Sequence, residues 1–305
     1  MRNYIIRRSL IGLLTLWLVS MIVFGLVRVT GDPTYIMVEP GASMQEIQDL
    51  RAHWGLDRPI IVQYAVFMGN ILKGDFGMSI VSGWPNFDLY VQRLPASLQL
   101  AFTAFAIALV FGISMGVLSA LKVGGFFDSF GKIFAYLGLA IPSFWLGLMF
   151  ILLFAVYLKI LPVSGRGGIE HIIMPATCLA MHICASYLRL TRSSLLEVLG
   201  RDYIRFTRIK GLPELLVVGK HAFRNAFIPL VTYGGVQLAI MINGGVVVEM
   251  VFAWPGTGLL LRDAIMTRDY ALVQTIVLIT ATIVVIANLC VDTLYAYIDP
   301  RIRLN

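Results

Sequence analysis

The chain alternates between long uncharged apolar runs and shorter stretches that hold almost all of its charge. Six runs approach or exceed bilayer-crossing length, at residues 10–27, 94–121, 133–158, 172–188, 225–248 and 270–291. About 20 helical residues cross the roughly 30 Å of hydrocarbon in a bilayer. A backbone crossing lipid must satisfy its own hydrogen bonds, and none of the six runs alternates with the period of a strand. The pattern therefore predicts an all-α membrane protein with six transmembrane helices. Arg2, Arg7 and Arg8 precede the first run, and no small-x-small cleavage site follows it at Arg28-Val29-Thr30-Gly31, so it reads as a retained anchor.

The connecting segments divide by charge. Residues 1–8, 122–132, 189–224 and 298–305 carry 15 Lys and Arg, against 8 in the longer set 31–93, 159–171 and 249–269. Basic residues stay on the cytoplasmic side, so both termini and the 189–224 loop are expected there. The partition that follows is an N-terminal tail and first helix at 1–30, a folded external (periplasmic) segment at 31–93, and a five-helix core at 94–305 containing the 189–224 loop.

Composition narrows the class. The chain is 58% hydrophobic and 13% charged with a mean hydropathy of +0.83, whereas soluble domains hold about 25% charged residues. A soluble enzyme, a disordered tail, a disulfide scaffold and a nucleic-acid module are all disfavoured. The formal net charge of +7 is topological. Cys178, Cys184 and Cys290 lie inside apolar runs without C-x-x-C spacing and read as buried small hydrophobes.

Two connecting segments are more than tethers. In the first, Ser43-Met44-Gln45-Glu46 fits a capping box, Ile47, Leu50 and Trp54 share a helix face, and Gly55 followed by Pro59 gives a stop. It suits either a docking surface for an external partner or a lid packed on helix ends. In the second, the loop 189–224, a basic helix is expected over about 195–210, broken at Gly211 and Pro213, with a further helix entering the membrane near Asn225. That shape suits a socket in another protein, or a basic helix lying on anionic headgroups.

The wording of this loop carries a resemblance. Asp202-Tyr203-Ile204-Arg205-Phe206-Thr207-Arg208-Ile209-Lys210-Gly211-Leu212, with His221-Ala222-Phe223-Arg224-Asn225 and Pro229 after it, resembles the cytoplasmic "EAA" loop of permease subunits of ATP-binding-cassette (ABC) importers, in the peptide/nickel subgroup. Gly31-Asp32-Pro33, Gly55-Leu56-Asp57-Arg58-Pro59, Gly74-Asp75-Phe76-Gly77-Met78-Ser79, Ile141-Pro142-Ser143-Phe144-Trp145, Leu161-Pro162, the run from Glu249 to Gly256, and Arg268-Asp269-Tyr270 agree in the same order. Phe206, Thr207 and Ile209 are bulkier than the family's usual residues, and Leu259 stands where an Arg is common.

The resemblance implies half of a translocation pathway for small peptides. It also implies a second homologous permease, two ATP-binding-cassette ATPases seated on the loops, an external solute-binding protein, and a bacterial inner-membrane location. Residues expected to couple to the ATPase are Arg205, Phe206, Thr207, Arg208, Lys210, Gly211, Leu212, Pro213 and Glu214. Gly211 is the expected pivot. The chain contains no G-x-x-x-x-G-K-[ST] phosphate loop, H-E-x-x-H or nucleophile elbow, so ATP and Mg are expected on partner subunits, with no cofactor or catalytic residue here.

Pro142, Gln237, Met241, Asn243 and Gly244 are candidates for pathway or gate positions, as helix breakers and polar or adaptable side chains within spans. Gly234-Gly235 and Gly244-Gly245 suit either kinks or close helix packing. Asn288 and Asp292 share a face, suited to tying the last span to Arg189 or Arg192. His182 with Met181 and Cys184 reads as an interface histidine before a metal ligand. Nickel, a metal chelate and glutathione-like solutes are alternative cargoes. A stand-alone channel or ion-coupled carrier is the alternative of another class, and mid-membrane ionisable residues would mark a coupled carrier.

Overall fold

The computed structural model describes residues 2–30, 34, 43–53 and 55–298. The helices are α1 (Arg2–Thr30), α2 (Met44–His53), α3 (Ile60–Leu72), α4 (Asn86–Leu121), α5 (Phe126–Ala140), α6 (Ser143–Phe150), α7 (Ile169–Leu199), α8 (Asp202–Ile209), α9 (Glu214–Leu216), α10 (Phe223–Gly244), α11 (Val246–Val251), α12 (Thr257–Met266) and α13 (Tyr270–Ile298). Wider π-helical turns extend α6 over Ile151–Tyr157 and join α9 to α10 over Val217–Ala222.

Among the described residues, four stretches are long and apolar enough to cross a membrane: Ile5–Val29, Asn86–Leu121, Ile169–Leu199 and Tyr270–Val291. The bent pair Phe126–Ala140 and Ser143–Tyr157 gives a fifth if it counts as one span. Its halves meet at 107°, so the third expected run is broken at Pro142, one of the helix breakers named from the sequence. Ile141 is forced extended (φ −82°, ψ 122°) ahead of Pro142, which disfavours helical backbone in the residue before it. The fifth expected run covers most of α10, a helix of 22 residues, and continues into α11.

The chain forms two compact units. The first comprises the described residues of Met1–Pro95 and Gly256–Asn305. There α1 packs on α13 so closely that a Cβ at Gly12 would lie 2.7 Å from Val285 Cγ1. Phe24 is buried against Tyr64 and Phe67 of α3 (centroids 5.4 and 5.5 Å), and Ser20 Oγ lies 2.7 Å from Tyr64 Oη. The expected capping box forms, with Ser43 N–H donating to Glu46 Oε2 (2.9 Å) and Glu46 N–H to Ser43 Oγ (3.3 Å). Ile47 is buried, while Trp54, like Gly31, Asp32 and Pro33, lies outside the described residues. Gly55 ends α2 at φ +64°, a left-handed conformation that glycine adopts without a Cβ clash.

Two motifs far apart in sequence meet in this unit. Buried Asp269, just before α13, accepts hydrogen bonds from Ser79 Oγ (2.5 Å), Ile80 N–H (3.2 Å) and Leu272 N–H (3.2 Å). Thr275 Oγ1 donates to Phe76 O at 3.1 Å. The Gly74–Ser79 and Arg268–Tyr270 motifs are thus two halves of one knot.

The second unit is Ala96–Pro255. Small residues let α4 and α7 touch backbone to backbone, the usual device of membrane helix pairs. A Cβ at Gly112 would lie 2.8 Å from Cys184 O, and one at Gly116 2.8 Å from Leu188 O. Gly234 of α10 is equally confined, since a Cβ there would run into the Tyr187 hydroxyl. Packing accounts for this glycine. In the Glu249–Pro255 stretch, Phe252 and Trp254 are buried, Trp254 Nε1–H donates to Ala96 O (2.8 Å) and Ser97 Oγ donates to buried Glu249 (2.6 Å).

Asp128 is the main charged joint of this unit. Its buried carboxylate receives Ser119 Oγ (2.7 Å), Gly124 N–H (2.9 Å), Lys132 Nζ (2.9 Å) and Arg192 Nε (2.7 Å), joining the end of α4, the following turn, α5 and α7. Arg192 therefore serves α5, where the sequence suggested a tie to the last span; the Asp292 side chain lies outside the described residues. Cys178 and Cys184 are buried as expected, but Cys290 is exposed on the chain. A position in an apolar run fixes depth in the membrane, and which way the helix face turns is set by packing.

Candidate functional site

The segment from Leu199 to Asn225 gathers every expected coupling residue into one projecting loop. The expected continuous helix over 195–210 is in fact two. α7 stops at Leu199, Gly200 caps it, and extended Arg201 (φ −74°, ψ 147°) starts α8 in a new direction. Glycine has the lowest helix propensity after proline, so the break falls where the chain is least committed to continuing. Asp202 in the first turn and Arg208 in the last complement the helix dipole.

α8 buries one side chain. Ile204 is fully buried among Ala120, Leu195, Val217, Ala222 and Ala226. Burying such a residue is worth about 1.5–3 kcal/mol, a large share of what holds an eight-residue helix in place. Asn225 Nδ2 donates to Tyr203 Oη (2.8 Å) and to His221 O (3.1 Å), tying α8 to the entry of α10. The His221–Ala226 wording thereby acquires a structural meaning: its alanines make room for Ile204, and its asparagine holds the neighbouring tyrosine.

The remaining residues of α8 face outward. Phe206 is 65% exposed, Ile209 80% and Leu215 85%, with Leu212 at the rim. Thr207 Oγ1 donates back to Tyr203 O (2.7 Å), while Arg205 lies 4.0 Å from Asp202 and is otherwise solvated. Lys210 caps the helix, and Gly211 follows at φ +76° with nothing within 4 Å of where a Cβ would stand. Pro213 begins α9, and Glu214 turns back to meet Arg208, with Nη2–Oε1 at 2.6 Å and Nε–Oε2 at 3.1 Å. Hydrogen bonding to Arg208 holds the Glu214 carboxyl below the usual glutamate range, and Glu214 in turn raises the Arg208 guanidinium. The turn is latched by charge and opened by glycine, with an apolar rim presented to whatever approaches.

Of the pathway candidates, Pro142, Gln237 and Met241 have described surroundings. Pro142 stands at the break between α5 and α6. Gln237 donates its amide to Tyr233 Oη, Met241 is buried in the core, and the surroundings of Asn243 and Gly244 lie outside what the structure describes. Sequence reading quoted Ile204 and Asn225 within the loop's wording but gave neither a contact, because one isoleucine in a basic stretch and one asparagine at a helix entry do not show what they pack on.

The model of the family described as "Binding-protein-dependent transport system inner membrane component" matches residues 108–304, and that of its N-terminal component matches residues 1–101. The chain belongs to this family. Among relatives of this inner-membrane component, the glutathione transport system permease protein GsiC of Escherichia coli K12 is 40% identical over 99% of both chains. The oligopeptide transport system permease protein AppB of Bacillus subtilis 168 is 39% identical over 99% of this chain and all of that one. A chain of the MetNI methionine ABC transporter, in an inward-facing conformation, shares the fold with a TM-score of 0.58 at 18% identity, covering 70% of this chain and 98% of that one. This binding-protein-dependent inner-membrane component is the permease subunit of an ABC importer. It works in the membrane with ATPase and substrate-binding partners.

Proposed function

We propose that the chain crosses the inner membrane six times with both termini in the cytoplasm, and that the α8–α9 knuckle is where an ATP-binding-cassette subunit grips it. The observation that carries this reading is the knuckle's construction. Ile204 and the Arg208–Glu214 latch fix its base and turn, while Phe206, Ile209 and Leu215 stand exposed among the described residues. The basic bias of the connecting segments supports the cytoplasmic side for it. The five spans read from helix length and bend, together with α10, make up the six.

In this reading ATP and Mg bind two partner ATPases, this chain hydrolyses nothing, and a second homologous permease supplies the other half of the pathway. ATP favours the closed ATPase pair, and the knuckle transmits that closure because it binds differently in the two states. The cargo is a small peptide, glutathione-like tripeptides included, in keeping with what the two sequence relatives are named for. Selection among peptides rests mainly on the external binding protein.

The test is co-purification of the tagged chain in mild detergent, followed by reconstitution with peptide-loaded binding protein. The expected result is capture of an ATPase, with hydrolysis stimulated by the loaded binding protein and reduced by Ile209→Asp at the exposed rim. Solute uptake in vesicles without any ATPase would overturn the reading.

A further inference from the structure

One helix face departs from what lipid would select. On α7, His182, Ser186, Arg189 and Ser193 recur at intervals of four, three and four residues. At about 100° per residue they fall within roughly 60° of arc and extend about 16 Å along the axis. His182, Arg189 and Ser193 are exposed on the chain, and Ser186 is half-exposed. The stripe begins deep inside the apolar run, where polar side chains turned to lipid are costly and default to a water-filled or protein-lined space.

Two cavities lie along the groove between this face and α5. The upper, about 320 Å³, reaches from Gly138 to the Pro142 break and is lined by His182 and Met181. The lower, about 490 Å³, is lined by Lys132, Tyr136, Ser186, Arg189, Arg192 and Ser193. Gly138, whose added Cβ would lie 2.9 Å from Ala185 Cβ, is the point where the two helices close on each other beside them.

The lower cavity has unbalanced charge. Asp128 answers Lys132 and Arg192 together (2.9 and 2.7 Å), so one carboxylate serves two cations. Glu197, the next acid along α7, is held by Arg201 at 2.5 Å. Among the described residues Arg189 has no acidic partner, and it shares the cavity with Ser186 and Ser193, whose hydroxyls donate to His182 O and Leu190 O of their own helix. Arg192 is oriented by Asp128 and Arg189 is left free, which is an arrangement for receiving an anion.

We infer that the α5–α7 groove is this chain's share of the wall of the solute pathway, and that Arg189, backed by Lys132 and Arg192, is a station for the carboxylate of the passing solute. This inference rests on the importer reading and adds the position of the path and the chemistry it recognises. A lipid headgroup could satisfy the same cations, but it would not call for His182 and Ser186 deeper in the span.

The test uses the complete importer in membrane vesicles, with this chain's three native cysteines removed as Cys178→Ala, Cys184→Ala and Cys290→Ser, since Cys178 itself lines the upper cavity, and single cysteines placed as Ser186→Cys or Ser193→Cys. Both are expected to react with membrane-impermeant methanethiosulfonates, the anionic sulfonatoethyl reagent faster than the cationic trimethylammonium one. Adding Arg189→Gln should lower that anion preference at Ser193→Cys by about threefold or more, as loss of one charge about 6 Å away implies. Uptake of glutathione or trialanine, whichever the parent importer accumulates, should fall several-fold in Arg189→Glu and be largely kept in Arg189→Lys. A Ser186→Cys that resists both aqueous reagents but reacts with a lipid-soluble maleimide overturns the inference. So does protection of Ser193→Cys by phosphatidylglycerol in the vesicles in place of solute, or uptake indifferent to Arg189→Glu. ATP-driven uptake by a variant with an unreactive Ser186→Cys would reject the groove and leave the importer reading standing. Reactive cysteines in vesicles without ATP-driven uptake would do the reverse.

Discussion

Glu214 receives Arg208 through two hydrogen bonds, 2.6 and 3.1 Å, across the turn at Gly211. The pair is exposed, so its contribution to overall stability is small, about 0–1 kcal/mol. Its effect is local, since it fixes the angle between α8 and the chain that leads into α10. Glu214→Gln should leave the melting temperature within about a degree or two, yet lower solute-stimulated ATP hydrolysis severalfold in the reconstituted importer. The pH dependence has a definite sign. Because the folded Glu214 carboxyl titrates below its ordinary value, the latch is complete above the usual glutamate range and fails only as the pH falls through that lowered value. Coupling measured between pH 7 and 5.5 should therefore be unaffected by this group.

Gly211 sits at φ +76° in open space, so only backbone strain opposes a side chain there. A left-handed residue other than glycine costs about 1–2 kcal/mol, less for asparagine and more for a β-branched side chain. Transport should decline in the order Gly211→Asn, Gly211→Ala, Gly211→Val. Gly211→Asp, which also places a charge beside Arg208, should hydrolyse ATP without matching uptake while the protein still reaches the membrane. Equal uptake across the series would mean that the turn has no part in coupling.

Ile204 and Ile209 lie on the same short helix with opposite environments, one fully buried and the other 80% exposed. Removing the buried side chain as Ile204→Ala should destabilise the local packing by about 2–5 kcal/mol. The readout is faster hydrogen exchange over residues 202–209. Ile209→Ala should leave exchange unchanged but weaken ATPase retention during purification by several-fold. Reversed effects would place the partner on the other side of the helix.

Asp269 holds a loop and a helix start together through Ser79, Ile80 and Leu272. Losing a buried, hydrogen-bonded carboxylate leaves several donors unanswered, each worth about 1–3 kcal/mol. Asp269→Ala should lower the thermal midpoint in detergent by several degrees, with Ser79→Ala milder. Because these residues and the knuckle belong to different compact units, basal ATP hydrolysis by the assembled importer at low temperature should be near normal.

Much of this was legible along the chain. Runs of apolar residues announce membrane helices because hydrocarbon tolerates no unpaired backbone, and the capping box at Ser43 and Glu46 needs only local hydrogen bonds. The 189–224 loop was legible as wording, and Gly211 and Pro213 as punctuation, because both act through their own backbone. The break at Gly200 was missed. A single glycine in a basic helix is permitted to continue, and only the pocket that receives Ile204 makes it turn.

The sequence by itself determined the helices, their lipid setting, the family and the composition of the projecting loop, since these depend on solvent transfer and on short-range backbone preference. The tertiary structure alone decided which residues meet: Ser79 with Asp269, Asp128 with Arg192, and the polar face of α7 with α5. Those pairings depend on helix rotation and close approach. Both are set by which small residues let two helices touch, a property of the pair that neither segment carries alone.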